Sequence, residues 1–243
     1  MWTIYRKELA SFFSSVTGYL VISLFLIILG LFMWVFPDSS LLEYNYASLN
    51  QLFDLSPFIF MFLIPAVCMR SISEELQAGT MEFLATKPLE DWKIVAGKFL
   101  AALSLVAFAL LPTTLYIYTV YQLGAPVGNI DTGAVGASYF GLFLLASAYV
   151  SLGLFASSLT KNQIVAFLLA VLFCFVFYLS FLYLSKLPVF LGKFDDIVQK
   201  IGIEYHYVSM SRGLIDSRDI IYFLGFIFFF LLSTQVSLSS RRW

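Results

Sequence analysis

The chain has 243 residues, of which 60% are hydrophobic, 19% aromatic and 12% charged. Soluble domains carry roughly 25% charged residues, so a soluble fold of this size could not cover its surface with polar groups. The same composition excludes a disordered chain, which would be poor in apolar residues. A net charge of −1 argues against nucleic-acid binding, which needs a basic face. The class that remains is a polytopic membrane protein.

The first predicted element is an amphipathic helix over about residues 1–17. Its apolar residues recur at spacings of three and four: Trp2, Tyr5, Leu9, Phe12 and Val16. Charged residues fill the positions between them. Such a helix lies in the membrane interface, where Trp and Tyr are enriched. The sequence therefore predicts an interfacial helix before the first span, with a frayed N-terminus as the alternative.

Six long charge-free stretches follow, and each predicts one membrane-spanning helix. A helix rises about 1.5 Å per residue, so about 20 residues cross the hydrocarbon core. The second stretch, Leu55–Met69, is long enough only if its helix starts near Leu49 and carries Asp54 close to one membrane surface. The predicted spans are about 18–36, 49–69, 95–121, 134–159, 163–185 and 220–239. The predicted fold class is an all-α polytopic membrane protein, with 1–243 forming a single transmembrane domain.

The Lys and Arg residues in the connections predict the orientation of the spans. Nine of them precede span 1, connect spans 2 and 3 or 4 and 5, or follow span 6, and five lie on the opposite side. All five are in the long segment 186–219, where five acids balance them, and the short loops on that side have none. We therefore expect both termini to be cytoplasmic.

The cytoplasmic loop 70–94 is longer than a simple connection and contains helix signals. Ser71 and Glu74 have the spacing of a capping box, which predicts that a short helix starts there. Gly79 would end that helix. A second helical piece over 80–87 would end at Pro88, which suits the first turn of the next helix.

The segment 186–219 is predicted to form an outer cap or re-entrant element. Its apolar residues Phe194, Ile197, Val198 and Ile201 lie at helical spacing and would form one face of a short helix. The stretch that follows contains Tyr205, His206 and Tyr207, and it is more apolar than an exposed loop requires. His206 is interpreted as a polar surface or cap residue, because a lone histidine completes neither a metal site nor a catalytic triad.

The spans contain little that could support chemistry. Asp54 is the only ionisable candidate, and it is better explained as an interfacial residue at a helix end. Cys68 and Cys174 are predicted to be small apolar residues within spans. No Walker A loop is present, so the chain is not expected to hydrolyse ATP or to bind a cofactor or metal itself. Small residues at helical spacing in span 4 suggest a close helix contact: Ser147, Ser151, Gly153 and Ser157.

The loop after the second predicted span resembles the corresponding segment of ABC-2 type transporter permeases. The residues that match the family pattern are Glu74, Glu75, Gly79, Thr80, Glu82, Leu84 and Pro88. The run Gly97-Lys98-Phe99-Leu100 and the stretch 207–222 also resemble the family. Leu76-Gln77 departs from it, because the family often has a basic residue after the acids. The compact length and overall sequence resemble the gliding-motility-associated permease subunits of Bacteroidetes.

The resemblance implies a permease subunit of an ABC transporter in a bacterial inner membrane, with export as the expected direction of transport. Its expected partners are a separate ABC ATPase subunit, which would bind ATP and Mg²⁺, a second copy or a different permease, and membrane lipid. The 1–17 helix would be the connecting helix, and the 70–88 loop the coupling helix seated on the ATPase. The 186–219 segment would be the outer gate, and gliding motility would require the transporter.

Other readings of the same sequence remain open. A scaffold that anchors a motility or secretion complex without transport also fits, since the spans contain no polar, substrate-specific pathway. A secondary carrier is disfavoured by the uncharged spans and by the absence of an evident inverted repeat. An intramembrane enzyme is disfavoured because no nucleophile–base pair is visible.

Overall fold

Helices make up the regular structure of the protein in a computed structural model that describes residues 1–37, 40–41, 47–80, 90–188 and 194–240. The helices are α1 Trp2–Ser14, α2 Val16–Gly30, α3 Asn50–Cys68, α4 Ser73–Gln77, α5 Asp91–Leu110, α6 Thr114–Leu123, α7 Thr132–Leu159, α8 Gln163–Phe175, α9 Phe181–Ser185, α10 Asp195–Ile201, α11 Ile203–Ser211 and α12 Ser217–Ser239. Turns of π-helix over Leu31–Val35 and Val176–Ser180 extend α2 and join α8 to α9, and a 3₁₀ turn over Leu111–Thr113 joins α5 to α6.

Six helical segments of the described chain are long and apolar enough to cross a membrane. They are Val16–Val35, Asn50–Gln77, Asp91–Leu123, Thr132–Leu159, Gln163–Ser185 and Ser217–Ser239, called spans 1 to 6 below. The prediction of an all-helical protein with six membrane helices is confirmed. Span 2 begins at Asn50, so Asp54 lies in its second turn.

Span 4, formed by α7, is the centre of the bundle. In its apolar stretch 83% of the residues are buried, whereas in the corresponding stretches of spans 1, 5 and 6 the buried share of residues is 22%, 22% and 28%. Small residues allow this central position, because neighbouring helices can then approach closely. A Cβ placed on Gly153 would lie 2.6 Å from the Cβ of Cys68 in span 2. The predicted close contact of span 4 is therefore present, and span 2 is one of its partners.

Proline residues interrupt the backbone hydrogen bonds of span 2. Pro57 lies inside α3 and has no N–H group, so the carbonyl of Phe53 one turn earlier loses its helical partner. The hydroxyl of Tyr207 in α11 donates to that carbonyl at 2.6 Å. A residue from the connection between spans 5 and 6 thus supplies the donor that Pro57 cannot supply.

The short helices gather at opposite ends of the bundle. At one end, α4 follows α3 as the last part of span 2 and meets the last turns of span 4 through Ser157. At the other end, α11 contacts the first turns of spans 2 and 4, through Tyr207 and through Ser138, whose hydroxyl donates to the Ser211 carbonyl at 2.9 Å. We call α1, α4 and the first turns of α5 the junction, and α10 and α11 (195–211) the cap.

Candidate coupling site

The amphipathic helix α1 lies against the start of span 3. Ile4 is its buried residue, and a Cβ on Gly97 of α5 would be 3.1 Å from the Cβ of Ile4. Tyr5, Leu9 and Phe12 are half-buried, whereas Trp2 is exposed and stacks on the ring of Tyr5 at 5.0 Å. The helix ends at Ser14, and Val16, which was predicted to belong to it, begins span 1 after the extended residue Ser15. Ile4 was not among the residues predicted for the apolar face. It lies one helical turn before Glu8 and therefore on the same face of α1 as Glu8.

A fully buried lysine ties the parts of the junction together. The side chain of Lys98 in α5 is 1% exposed, and its ammonium donates to Glu8 Oε1 at 2.9 Å and to the Ser71 carbonyl at 2.5 Å. It also forms an ion pair with Glu75 Oε2 at 3.0 Å. A buried charge is tolerated when opposite charges and hydrogen bonds surround it. One side chain therefore joins α1, α5 and the segment that leads into α4.

A second lysine closes the cluster on its exposed side. Lys7 of α1 donates to Glu75 Oε1 at 2.9 Å and lies 3.7 Å from Glu8 Oε1. Burial, the largest single influence, opposes the charge of Lys7, but Glu75 and Glu8 together outweigh it and raise its pKa above the ordinary 10.5. Lys7 is therefore charged at neutral pH, and the cluster brings two lysines together with two glutamates.

The start of α4 is capped by span 4 and not by the predicted capping box. The helix begins at Ser73 after Ile72, and no side chain of its own caps it. The hydroxyl of Ser157 accepts from the N–H groups of Ile72 at 3.1 Å and Ser73 at 3.0 Å and donates to the Met69 carbonyl at 3.1 Å. The capping-box prediction for Ser71 and Glu74 was wrong, because a serine from another helix occupies the cap position.

The predicted coupling residues do not all face the same way. Glu74 is 54% exposed and pairs with Arg70 at 3.5 Å, whereas Glu75 is 12% exposed and turned into the junction. Gly79 has a φ of 68°, a left-handed conformation that suits glycine, and it lies just after the end of α4. Thr80 is exposed. Glu82 and Pro88 lie outside the described residues.

An open polar cleft lies beside α4. Gln77 of α4 forms one side, and the turn between spans 4 and 5 forms the other with Lys161, Asn162 and Gln163. The side chain of Asn162 caps α8 by accepting from the Ile164 N–H at 2.9 Å. The junction, with Glu74 and Gln77, and the turn between spans 4 and 5, with Lys161, therefore share one end of the bundle.

The predicted outer-gate residues belong to two helices with different environments. In α10, Phe194, Ile197 and Ile201 are exposed and Val198 is half-buried. In α11, Tyr205 is 40% exposed, whereas Tyr207 is 1% exposed and anchored on span 2. The six residues therefore do not form one continuous face within a single chain, and their role as a gate stays a prediction.

His206 is a buried residue of the cap, so of the two expected positions, polar surface or cap, the surface position is excluded. It is 9% exposed, and its ring contacts Asp219 at the start of α12 and the carbonyl of Lys200 in α10. The signal available in the sequence was the apolar stretch around it, which indicated cover but not a partner. Among the described residues, no group of three His, Cys, Asp or Glu side chains is placed to hold a metal ion.

Comparison with known proteins identifies the family. Residues 2–187 match the profile described as ABC-2 family transporter protein. A comparison with curated proteins gives no significant match. The matched range covers most of the chain and includes the junction and spans 1 to 5. The protein therefore belongs to the ABC-2 family, whose members are membrane components of ATP-binding-cassette transporters.

Proposed function

We propose that this permease receives the movement of a separate ABC ATPase through α4 and passes it to spans 1 and 3 through the junction. The observation that carries the proposal is the buried Lys98, which holds α1 and the α4 segment on span 3. A short helix can transmit force only if it does not slide over its neighbours. Here α4 is fixed by charge on one side and by the Ser157 cap on the other.

The surface offered to the ATPase is the exposed part of α4 and the cleft beside it. Glu74 projects from α4, and Lys161 lies across the cleft from Gln77. Glu75 is bound within the junction, so we assign it to holding α4 and assign Glu74 to contacting the partner. Gly79 and Thr80 continue the same surface, and Glu82 and Pro88 are proposed to extend it on the strength of the sequence resemblance.

A second permease is proposed to pack on an exposed stripe of span 2. Asp54, Phe58 and Phe62 follow one another at intervals of four residues, and all three are exposed. Lipid solvates aromatic rings well but solvates a carboxylate poorly. The stripe is therefore better suited to another protein or to the water of a transport path. The partner is a second copy of this chain or a different permease.

The remaining assignments rest on the sequence alone. Cytoplasmic termini follow from the distribution of Lys and Arg. Location in a bacterial inner membrane, export of the cargo and a requirement in gliding motility follow from the resemblance to permeases of gliding Bacteroidetes. We propose all of these for the protein.

The proposal is tested by purifying the tagged chain from its native membranes in mild detergent and identifying what copurifies by mass spectrometry. We expect a stoichiometric chain with a Walker A loop. Glu74→Lys should reduce its recovery about tenfold, because a reversed charge repels a surface that fits the original one. Asp196→Lys is the matched control, since Asp196 is exposed at the opposite end of the bundle.

Two results would contradict the proposal. Recovery of the intact six-span protein with stable partners but no ATPase would favour the scaffold. Equal loss of the ATPase in Glu74→Lys and Asp196→Lys would show that α4 is not the surface that contacts the ATPase. If the ATPase copurifies, stimulation of its ATP hydrolysis by a transported molecule separates a transporter from an anchor.

A further inference from the structure

The cap is bound to two spans by two adjacent residues. Tyr207 donates to the Phe53 carbonyl of span 2 at 2.6 Å, and His206 contacts Asp219 of span 6 at 2.7 Å. His206 and Asp219 are 9% and 6% exposed. The hydroxyl of Tyr222, also in span 6, donates to the Ile201 carbonyl at 2.6 Å. The cap therefore bridges the starts of spans 2 and 6.

The hydrogen-bond partners of His206 determine how many protons the pair His206 and Asp219 must carry. Nδ1 lies 2.7 Å from Asp219 Oδ1, and Nε2 lies 3.0 Å from the carbonyl oxygen of Lys200. A carbonyl oxygen only accepts a hydrogen bond, and an ionised carboxylate also only accepts. Both ring nitrogens are satisfied when His206 carries two N–H groups and Asp219 is ionised, or when one shared proton lies on Asp219. In either case the pair holds one proton more than neutral histidine beside an ionised aspartate.

Loss of that proton leaves one contact unfavourable. If Nδ1 keeps its hydrogen, the lone pair of Nε2 faces the Lys200 carbonyl. If Nε2 keeps it, the lone pair of Nδ1 faces the Asp219 carboxylate. A buried polar contact of this kind destabilises the arrangement, because two acceptors face each other with no hydrogen between them. The contact is thus present while the pair is protonated and weakened when it is not.

Other charged and aromatic groups lie around the cap. On α11, Glu204 lies within electrostatic range of Lys186, and Arg212 just after α11 lies within electrostatic range of Asp54. From span 6, the ring of Tyr222 stacks on the imidazole at 3.9 Å, and Tyr205 of α11 itself meets it edge-on at 5.2 Å. The α10 helix presents the Lys200 carbonyl. An aromatic face over the imidazole favours its cationic form.

We propose that His206 and Asp219 form a proton-dependent clasp that holds the cap on span 6 and loosens as the pH rises. Tyr207 and Tyr222 also anchor the cap, on span 2 and on span 6, and they do not titrate in this range because phenols lose their proton only near pH 10. Deprotonation therefore weakens the span 6 side of the cap, where the hydrogen bond from Tyr222 to Ile201 remains, while the span 2 side stays attached. The proposal depends on the contacts of this chain and not on the proposed ATPase coupling.

Hydrogen–deuterium exchange on the full-length protein in lipid nanodiscs tests the clasp. Protection of the amides of 203–211, corrected for the intrinsic pH dependence of exchange, is compared at about pH 5.5 and about pH 8, the range in which histidines titrate. We expect protection to fall about tenfold at the higher pH, as the loss of one buried charged hydrogen bond implies. Protection of the central span 4 should stay constant.

Three variants give the test its direction. Asp219→Asn should keep the cap protected at both pH values, because an amide can donate to Nδ1 of a neutral imidazole whose Nε2–H still reaches Lys200. His206→Gln should show low protection without a pH dependence. Tyr207→Phe should lower protection at both pH values and keep the fall.

The results that overturn the proposal are equally specific. A wild-type protein with the same corrected protection at both pH values has no clasp that depends on a proton. A fall that persists unchanged in Asp219→Asn or in His206→Gln belongs to another group. If His206→Gln does not fold, Asp219→Asn alone decides, because its expected gain of protection at high pH cannot result from damage.

Discussion

Lys98 shows how one residue can hold several helices together at one end of a membrane protein. Its side chain has no access to solvent, and its partners come from α1 and from the segment that leads into α4. Removing one partner of a buried ion pair is costly, because the remaining charges stay buried without compensation. The two glutamates would then face each other across the vacated position.

We expect Lys98→Met to destabilise the folded protein by about 3–5 kcal/mol, since it leaves Glu8 and Glu75 buried with only Lys7 to balance them. Thermal unfolding in detergent measures this. The matched control is Lys93→Met in the same helix. Lys93 is 46% exposed and pairs with Glu90 at 3.3 Å, so its loss should change stability by less than about 0.5 kcal/mol. Equal effects would show that Lys98 is not a structural charge.

The sequence predicted the charges of the junction but not their arrangement. Lys98 contributed to the predicted orientation and lay in a run that resembles the family, yet nothing local indicated that it would be buried. Its partner Glu8 lies 90 positions away in the chain, and Lys7 and Glu75 are 68 positions apart. Pairing over such distances depends on how the helices pack, and a single sequence does not contain that information.

At the scale of elements, α4 is too short to be stable by itself. It has five residues, whereas isolated helices need about 12–15 to be even marginally stable. Its stability must therefore come from tertiary contacts. The Ser157 cap and the charges of the junction are those contacts, and they make α4 depend on span 4 and span 3 at once.

Ser157→Ala should weaken α4 by about 1–2 kcal/mol, because it leaves the N–H groups of Ile72 and Ser73 without an acceptor. Faster amide exchange over 72–78 measures this directly. Ser147→Ala is the matched control on the same span, since the hydroxyl of Ser147 donates only to the carbonyl of Phe143 in its own helix. Unchanged exchange in Ser157→Ala would mean that other contacts hold the start of α4.

Long elements were predicted well and short ones less well. The spans were found because lipid requires about 20 consecutive apolar residues and allows few charges within them. The start of α4 was predicted to within two residues, but its cap was not, because a capping box is a local signal and the actual cap is a distant serine. The helix over 194–201 was placed correctly, since its apolar residues have helical spacing, but the buried position of His206 in the next helix depended on span 6.

At the scale of the whole molecule, the distribution of burial distinguishes the spans. Most residues of span 4 are buried, whereas most residues of spans 1, 5 and 6 are partly or fully exposed. Span 2 combines deep burial with the exposed stripe at Asp54, Phe58 and Phe62. This combination supports a contact between permeases at span 2 and lipid around the other exposed spans.

Phe62→Cys should therefore form a disulfide-linked pair of permeases when native membranes are oxidised. Phe229→Cys is a control matched in residue type and depth, because both positions are the thirteenth of their helices, and both phenylalanines are similarly exposed, at 57% and 61%. We expect no such pair from Phe229→Cys. The native Cys68 and Cys174 are fully buried and give little background. Crosslinking at Phe229 but not at Phe62 would move the interface to span 6.

The hydrogen bond from Tyr207 to the Phe53 carbonyl has a consequence for biosynthesis. The two residues are 154 positions apart, and ribosomes add about 5–20 residues each second. Phe53 is therefore synthesised about 8–30 s before the tyrosine that donates to its carbonyl. During that interval water at the membrane surface must supply the missing donor. The hydrogen bond at Phe53 is then the last part of this region of span 2 to form.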